Sequence, residues 1–122
     1  MRILIFGGNG FIGKHLIKIL KKRKNNKIFF YGNSNYSNKG SNLIKYNKTN
    51  FENIIKKTNP NVIFFLSGNS YPHNKTNDEL HDFKSNNLVL YELLNVLKKS
   101  KYKDLFFYTS SIAVYGSVKS NK

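Results

Sequence analysis

The stretch Ile3-Leu4-Ile5-Phe6-Gly7-Gly8-Asn9-Gly10-Phe11-Ile12-Gly13-Lys14-His15-Leu16 decides the fold. Ile3–Phe6 is a short, wholly apolar run, as a strand buried on both faces requires. It breaks at Gly7, and Gly7, Gly10 and Gly13 follow at a Gly-x-x-Gly-x-x-Gly spacing. A helical pattern begins within the same stretch. Ile12, Leu16, Ile19 and Leu20 fall on one expected face, with Lys14, Lys18, Lys21 and Lys22 largely on the other. Between a buried strand and an amphipathic helix, that spacing is the context in which glycines mean dinucleotide binding. Each glycine has its own reason. Gly7 lets the chain turn out of the strand, Gly10 lets backbone approach a pyrophosphate, and Gly13 lets the helix pack closely. The N–H groups of Phe11 and Ile12 then face the phosphates at the positive helix end. A plain tight turn with incidental glycines is the bland alternative.

Working outward, strands and helices alternate. Asn25-Asn26 stops the first helix, and Ile28–Tyr31 reads as a second buried strand. Gly32–Gly40 is rich in Asn, Ser and Gly and reads as a loop. Leu43–Tyr46 suits a short third strand, and Thr49 or Asn50 can cap a helix over Phe51–Thr58. Asn59-Pro60-Asn61 ends that helix, because proline cannot continue it. Val62–Leu66 is the clearest strand, followed by a polar loop over Ser67–Asn77. A long helix is expected from Asp78 or Glu79 to Lys99, anchored by Leu88, Leu90, Leu93, Leu94 and Leu97. Leu105–Tyr108 reads as the last buried strand, leading into Thr109-Ser110-Ser111. The expected architecture is α/β, a doubly wound parallel sheet of about five strands with helices on both faces. The chain stops at Ser120-Asn121-Lys122, where such a sheet ordinarily carries another helix. A natural short chain, a truncated gene and a fragment all stay open. Without that cover, a sheet edge and a helix-binding face are expected to be unprotected.

Composition narrows the function classes. With no cysteine among 122 residues, disulfide scaffolds, thiolate zinc sites and cysteine nucleophiles are excluded. His15, His73 and His81 show no metal-ligand spacing, so no metal is expected. No apolar run approaches the roughly 20 residues of a membrane span, and the apolar start is too short for a signal peptide. A cytoplasmic location without membrane association is the expectation. The net charge of +15 suggests nucleic acid. Yet only Arg2 and Arg23 are arginine, the residue that base edges favour, and the lysines are scattered. The 19 asparagines, with many Ile, Phe and Tyr, fit a drift toward A/T-rich codons. Nucleic acid is therefore the weaker reading, although a positive field attracts phosphorylated small molecules.

Four segments together resemble the extended short-chain dehydrogenase/reductases, the NAD-dependent epimerase/dehydratase family. Gly7–Leu16 resembles the family's glycine motif and first helix. Asn59–Gly68 resembles the fourth strand, with Leu66, Ser67 and Gly68 in the loop that passes over the cofactor. Ser85-Asn86-Asn87-Leu88 resembles the asparagine-bearing helix segment. Phe106–Gly116, with Ser110-Ser111-Ile112-Ala113-Val114-Tyr115-Gly116, is similar to the Ser-Ser-x-x-x-Tyr-Gly segment of the sugar-nucleotide branch. The resemblance covers essentially the whole chain. It implies a Rossmann-like NAD(P)-binding domain over residues 1–122 and hydride transfer between nicotinamide and a sugar carbon. Ser111 is the implied catalytic hydroxyl, suited to hydrogen-bond the reacting oxygen because it both donates and accepts.

Two departures qualify what the resemblance implies. The family's Tyr-x-x-x-Lys pair lies on the helix beyond the Ser segment, and the chain ends before it. Tyr71/Lys75 and Tyr115/Lys119 have the spacing but not the expected helix, so both read as coincidence. The 122 residues alone are therefore expected to be inactive, and the substrate portion to lie elsewhere. The second departure concerns the cofactor. The Asp that usually ends the second strand and grips the adenosine ribose falls here at Gly32, and no acid precedes Glu52. Asn33, Ser34 and Lys39 are candidates to receive a 2′-phosphate, which leans the choice between NAD and NADP slightly toward NADP. Asn47 takes the adenine-contact position. Three readings remain open: an epimerase, dehydratase or reductase acting on a nucleotide sugar; a non-catalytic dinucleotide-binding module or degenerate paralogue; and a basic nucleic-acid binder. A homo-oligomer is a further possibility.

Overall fold

The computed structural model describes residues 1–32, 43–46, 50–68 and 83–115. Five strands, β1 (Arg2–Phe6), β2 (Lys27–Tyr31), β3 (Leu43–Tyr46), β4 (Val62–Phe65) and β5 (Leu105–Tyr108), form one sheet in the order β3-β2-β1-β4-β5. Every pairing is parallel, with Ile3 opposite Ile28 on one side of β1 and Val62 on the other. Among the described residues three α-helices accompany it, α1 (Phe11–Leu20), α2 (Phe51–Thr58) and α3 (Val89–Lys99). A π-helical turn over Lys84–Leu88 leads into α3, and a 3-10 turn over Ile112–Tyr115 follows β5.

The alternation of side chains along β1 gives the sheet two cores. Ile3 and Ile5 pack with Ile28, Phe30 and Ile17 on the face that α1 covers. Leu4 and Phe6 pack with Phe29, Ile63 and Phe65 on the other, under Ile54 and Ile55 of α2 and Leu93 and Leu97 of α3. Helices on both faces of a parallel sheet are the expected doubly wound arrangement. Phe6 anchors the second core, its ring 5.5–5.7 Å from those of Tyr31, Phe51 and Phe65.

The helix ends follow local chemistry. Asn26 is buried and donates from Nδ2 to the Leu20 carbonyl at 3.0 Å, closing α1. Asn50, rather than Thr49, is the N-cap of α2, its Oδ1 accepting from Glu52 N–H at 2.7 Å. Asn59 ends α2 in the left-handed conformation at φ 39°, which asparagine tolerates better than most residues.

Three expectations need correction. Ile12 is 60% exposed and Ile19 61%. The buried side of α1 is centred instead on Gly13 and Ile17, with Leu16 and Leu20 packed beside them. A glycine marks that face because the helix sits too close for a side chain, and this shifts the apparent phase. In α3 the inward positions are Leu93 and Leu97, flanked by Val89, Leu90 and Val96, while Leu94 is 44% exposed. The expected start of that helix at 78 or 79 lies outside the described residues. Lastly, β5 is an edge strand rather than a buried one, with Leu105 60% and Phe107 48% exposed. Phe107 stacks on Phe64 at 5.0 Å, and no described helix covers the pair.

Candidate dinucleotide site

All five strands point their C-terminal ends to one edge of the sheet, and the glycine loop crosses it. Gly7 leaves β1 with φ +80°, which no other described glycine requires. Its N–H donates to the Tyr31 carbonyl at 3.1 Å, and its own carbonyl accepts from Gly10 N–H at 3.0 Å. The inner side of the loop is full. A Cβ on Gly7 would stand 2.8 Å from the Leu66 carbonyl group and from Ser67 N. One on Gly13 would stand 2.3 Å from the Gly7 carbonyl oxygen. Gly13 thus lets α1 approach the loop itself rather than the strand alone. Gly8, outside that spacing, lies against Phe30 and Ile17, and a Cβ there would stand 2.8 Å from Phe30 Cβ. The run Gly7-Gly8 was the available signal.

The outer side differs. Gly10 is exposed, and a Cβ there would meet only the Gly7 carbonyl oxygen, at 3.3 Å. Gly10 is also the N-cap of α1, with no side-chain cap and no acidic residue in the first turn. Phe11 and Ile12 begin the helix, and both side chains stand in solvent. α2 begins at the same edge and satisfies its own N-terminus with Asn50 and Glu52. The first-turn N–H groups of α1 carry the positive end of a helix dipole, and that turn holds no acidic residue of its own. That donor set and its glycine approach fit a pyrophosphate.

Neighbouring loops close on this one. Leu66 continues the ladder, its N–H donating to the Phe6 carbonyl at 2.9 Å, and brings Ser67 against Gly7. Gly68 meets Asn86, whose Oδ1 would be 3.2 Å from an added Cβ. Asn86 lies in the π-helical turn, a widening of the helix that is frequent at functional sites. Gly32 lies under the Asn9 side chain. Across the edge, Thr109 donates from Oγ1 to the Phe65 carbonyl at 3.2 Å, which engages the first hydroxyl after β5. Ser111 comes two residues later, exposed, its carbonyl accepting from Val114 N–H at 3.2 Å. Tyr115 closes the 3-10 turn, largely in solvent. The chain therefore gathers Gly7, Gly10, Gly13, Gly32, Leu66, Ser67, Gly68, Asn86 and Ser111 at one edge. Asn33, Ser34, Lys39 and Asn47 lie outside the described residues, as do Tyr71, Lys75 and Lys119.

A separate cleft of about 630 Å³ opens at the opposite edge, between the C-terminal ends of α2 and α3. Lys56, Lys99, Lys101 and Lys103 line it, where helix dipoles already favour cations. No described helix is long and apolar enough to cross a membrane.

Fold and site define a class: a parallel α/β sheet whose first strand–helix junction is a glycine cradle. The chain belongs to the NAD dependent epimerase/dehydratase family, whose profile matches residues 3–122. It is 34% identical, over an alignment of 131 residues, to a dTDP-D-glucose 4,6-dehydratase of Dictyostelium discoideum, covering 95% of this chain and 30% of that protein. The UDP-glucose 4-epimerase of Thermotoga maritima, solved with UDP-glucose, superposes with a TM-score of 0.79 at 25% identity, covering 98% of this chain and 41% of that one. The UDP-glucuronic acid 4-epimerase of Bacillus cereus, solved with NAD, superposes at 0.77 and 21% identity, covering 97% and 42%. The chain thus spans well under half the length of these relatives.

Proposed function

We propose that this chain is the dinucleotide-binding part of an NAD(P)-dependent epimerase, dehydratase or reductase acting on a nucleotide sugar. The observation that carries the reading is the α1 N-terminus. It is reached through a loop crowded on its inner side and open at Gly10, and no side chain of its own caps it. In this reading the N–H groups of Phe11 and Ile12 hold the pyrophosphate. The backbone of Leu66, Ser67 and Gly68, with Asn86 behind it, walls the side of the cofactor toward β4. When bound, the nicotinamide supplies a hydride acceptor and donor. Ser111 donates a hydrogen bond to the sugar oxygen and so favours charge developing there. Asn47 and the Asn33-Ser34 pair are assigned to adenosine. NAD is what the Bacillus cereus relative holds; the missing carboxylate at Gly32 removes the repulsion against a 2′-phosphate and leans this chain slightly toward NADP.

Calorimetric titration of the purified chain with NADP and NAD tests this. Binding of at least one is expected, with about tenfold or greater loss in Gly10→Asp. The introduced carboxylate would cap the helix itself and repel the phosphates. A folded chain that binds neither, or a Gly10→Asp variant that binds as well as the parent, removes the reading.

A further inference from the structure

Gly32 follows the last residue of β2, and its backbone gives no reason for a glycine. Among described glycines only Gly7 has a positive φ. What stands in the way of a side chain is the Asn9 carboxamide. A Cβ on Gly32 would stand 2.6 Å from Asn9 Nδ2 and 3.1 Å from Asn9 Cγ, and its three nearest atoms all belong to that side chain. Asn9 Oδ1 is turned out of solvent, so the carboxamide is seated between the two segments. The Gly7 N–H to Tyr31 carbonyl bond ties the same segments together. The carboxamide thus fills the space into which a side chain at position 32 would project.

We infer that Asn9 and Gly32 form one coupled element, in which the carboxamide carried by the glycine loop replaces a side chain at the end of β2 and sets the choice between a free and a phosphorylated ribose 2′-hydroxyl. This rests on the dinucleotide reading above. A carboxylate at position 32 would accept from the ribose hydroxyls and repel a 2′-phosphate. A carboxamide is uncharged and carries two N–H donors, so it lacks that repulsion. The coupling has a consequence that the missing acid alone would not have. An acid restored at position 32 must displace the Asn9 carboxamide, so alone it recovers less of a preference for NAD than it does once Asn9 is shortened. The full preference needs both changes, and Asn9 has no positive φ that would oppose alanine.

Titrations of the parent chain, Asn9→Ala, Gly32→Asp and the double variant with NAD and NADP test the coupling. In the double variant the NAD-to-NADP affinity ratio should rise about tenfold or more beyond the product of the two single effects. A double effect equal to that product overturns the inference while leaving the dinucleotide reading intact. A parent chain that binds neither cofactor overturns both. A second measurement needs no cofactor. Gly32→Ala should lower the melting temperature in the parent and leave it unchanged or raised in the Asn9→Ala background. Equal drops in both backgrounds reject the steric coupling.

Discussion

The two edges of the sheet are built in opposite ways. Where the strands begin, the chain ties itself together. Met1 donates from its amino terminus to the Asn25 carbonyl, and Lys27 N–H donates to the Met1 carbonyl. Asn61 accepts from Arg2 N–H at its Oδ1 and donates its own N–H back to the Arg2 carbonyl. The Arg2 guanidinium donates to the carbonyls of Lys57 and Thr58 at the end of α2. Where the strands end, the loops are glycine, α1 has no side-chain cap, and Phe11, Ile12 and Ser111 stand in solvent. The amino-terminal and side-chain bonds of the first edge are exposed except the part-buried one from Arg2 to Thr58, so each contributes modestly, and together they favour the folded edge. On the dinucleotide reading proposed above, the open end of α1 is where the ligand would supply the partner that the chain itself does not.

The largest effect expected from breaking this contrast is at Gly13. Its Cβ would lie 2.3 Å from the Gly7 carbonyl oxygen and 2.7 Å from Gly8 Cα, both backbone atoms that cannot swing aside. Gly13→Ala should therefore cost about 3 kcal/mol, at the upper end for overpacking. It should also abolish dinucleotide binding, since it pushes the loop and helix apart. Urea denaturation and calorimetry measure the two. Parent-like stability in this variant would contradict the close approach of α1 to the loop. Next comes the closed edge. Arg2→Ala removes both bonds to α2 and the guanidinium from over the Phe29 ring, 5.4 Å away. A loss of about 1–2 kcal/mol is expected, with cofactor affinity unchanged. A variant equally stable but weaker in binding would show that the two edges are not independent.

How much of this was legible in the sequence depends on what each feature rests on. Ile3–Phe6, Ile28–Tyr31 and Val62–Leu66 announced a parallel sheet because burial on both faces demands unbroken apolar runs. The glycine loop was legible because its spacing and flanks are local. The inward face of α1 was not: periodicity counts side chains, and the closest contact is made by Gly13, which has none. β5 carries an apolar run like the others, yet its exposure depends on what lies beside it in space, which no run of residues states. Asn9 against Gly32 joins residues far apart in sequence, and only the distance between them explains the glycine. The departure at Gly32 could be seen, but its cause could not.

The smallest effect tests the closed edge from its chemistry rather than its packing. Tyr102, between α3 and β5, donates from its hydroxyl to the Leu105 carbonyl at 2.9 Å. Its pKa is pushed from the ordinary 10.0 to about 12, first by burial and then by the neighbouring Asp104 carboxylate, both of which disfavour the phenolate. Above pH 10 the unfolded chain releases this proton while the folded chain retains it, so folding stability falls as pH rises. The contribution is whole below pH 10 and is lost as pH approaches 12. Tyr102→Phe keeps the ring but gives up the hydrogen bond, about 1 kcal/mol at neutral pH. It also removes the proton whose release drives the alkaline loss. Lysines titrate through the same window in both proteins, so the informative quantity is the gap between the two stability curves. That gap should narrow steadily from pH 10 toward 12. A constant gap would mean that the Tyr102 hydroxyl titrates alike in the folded and unfolded chain, and that this corner of the closed edge is more open to water than its hydrogen bond suggests.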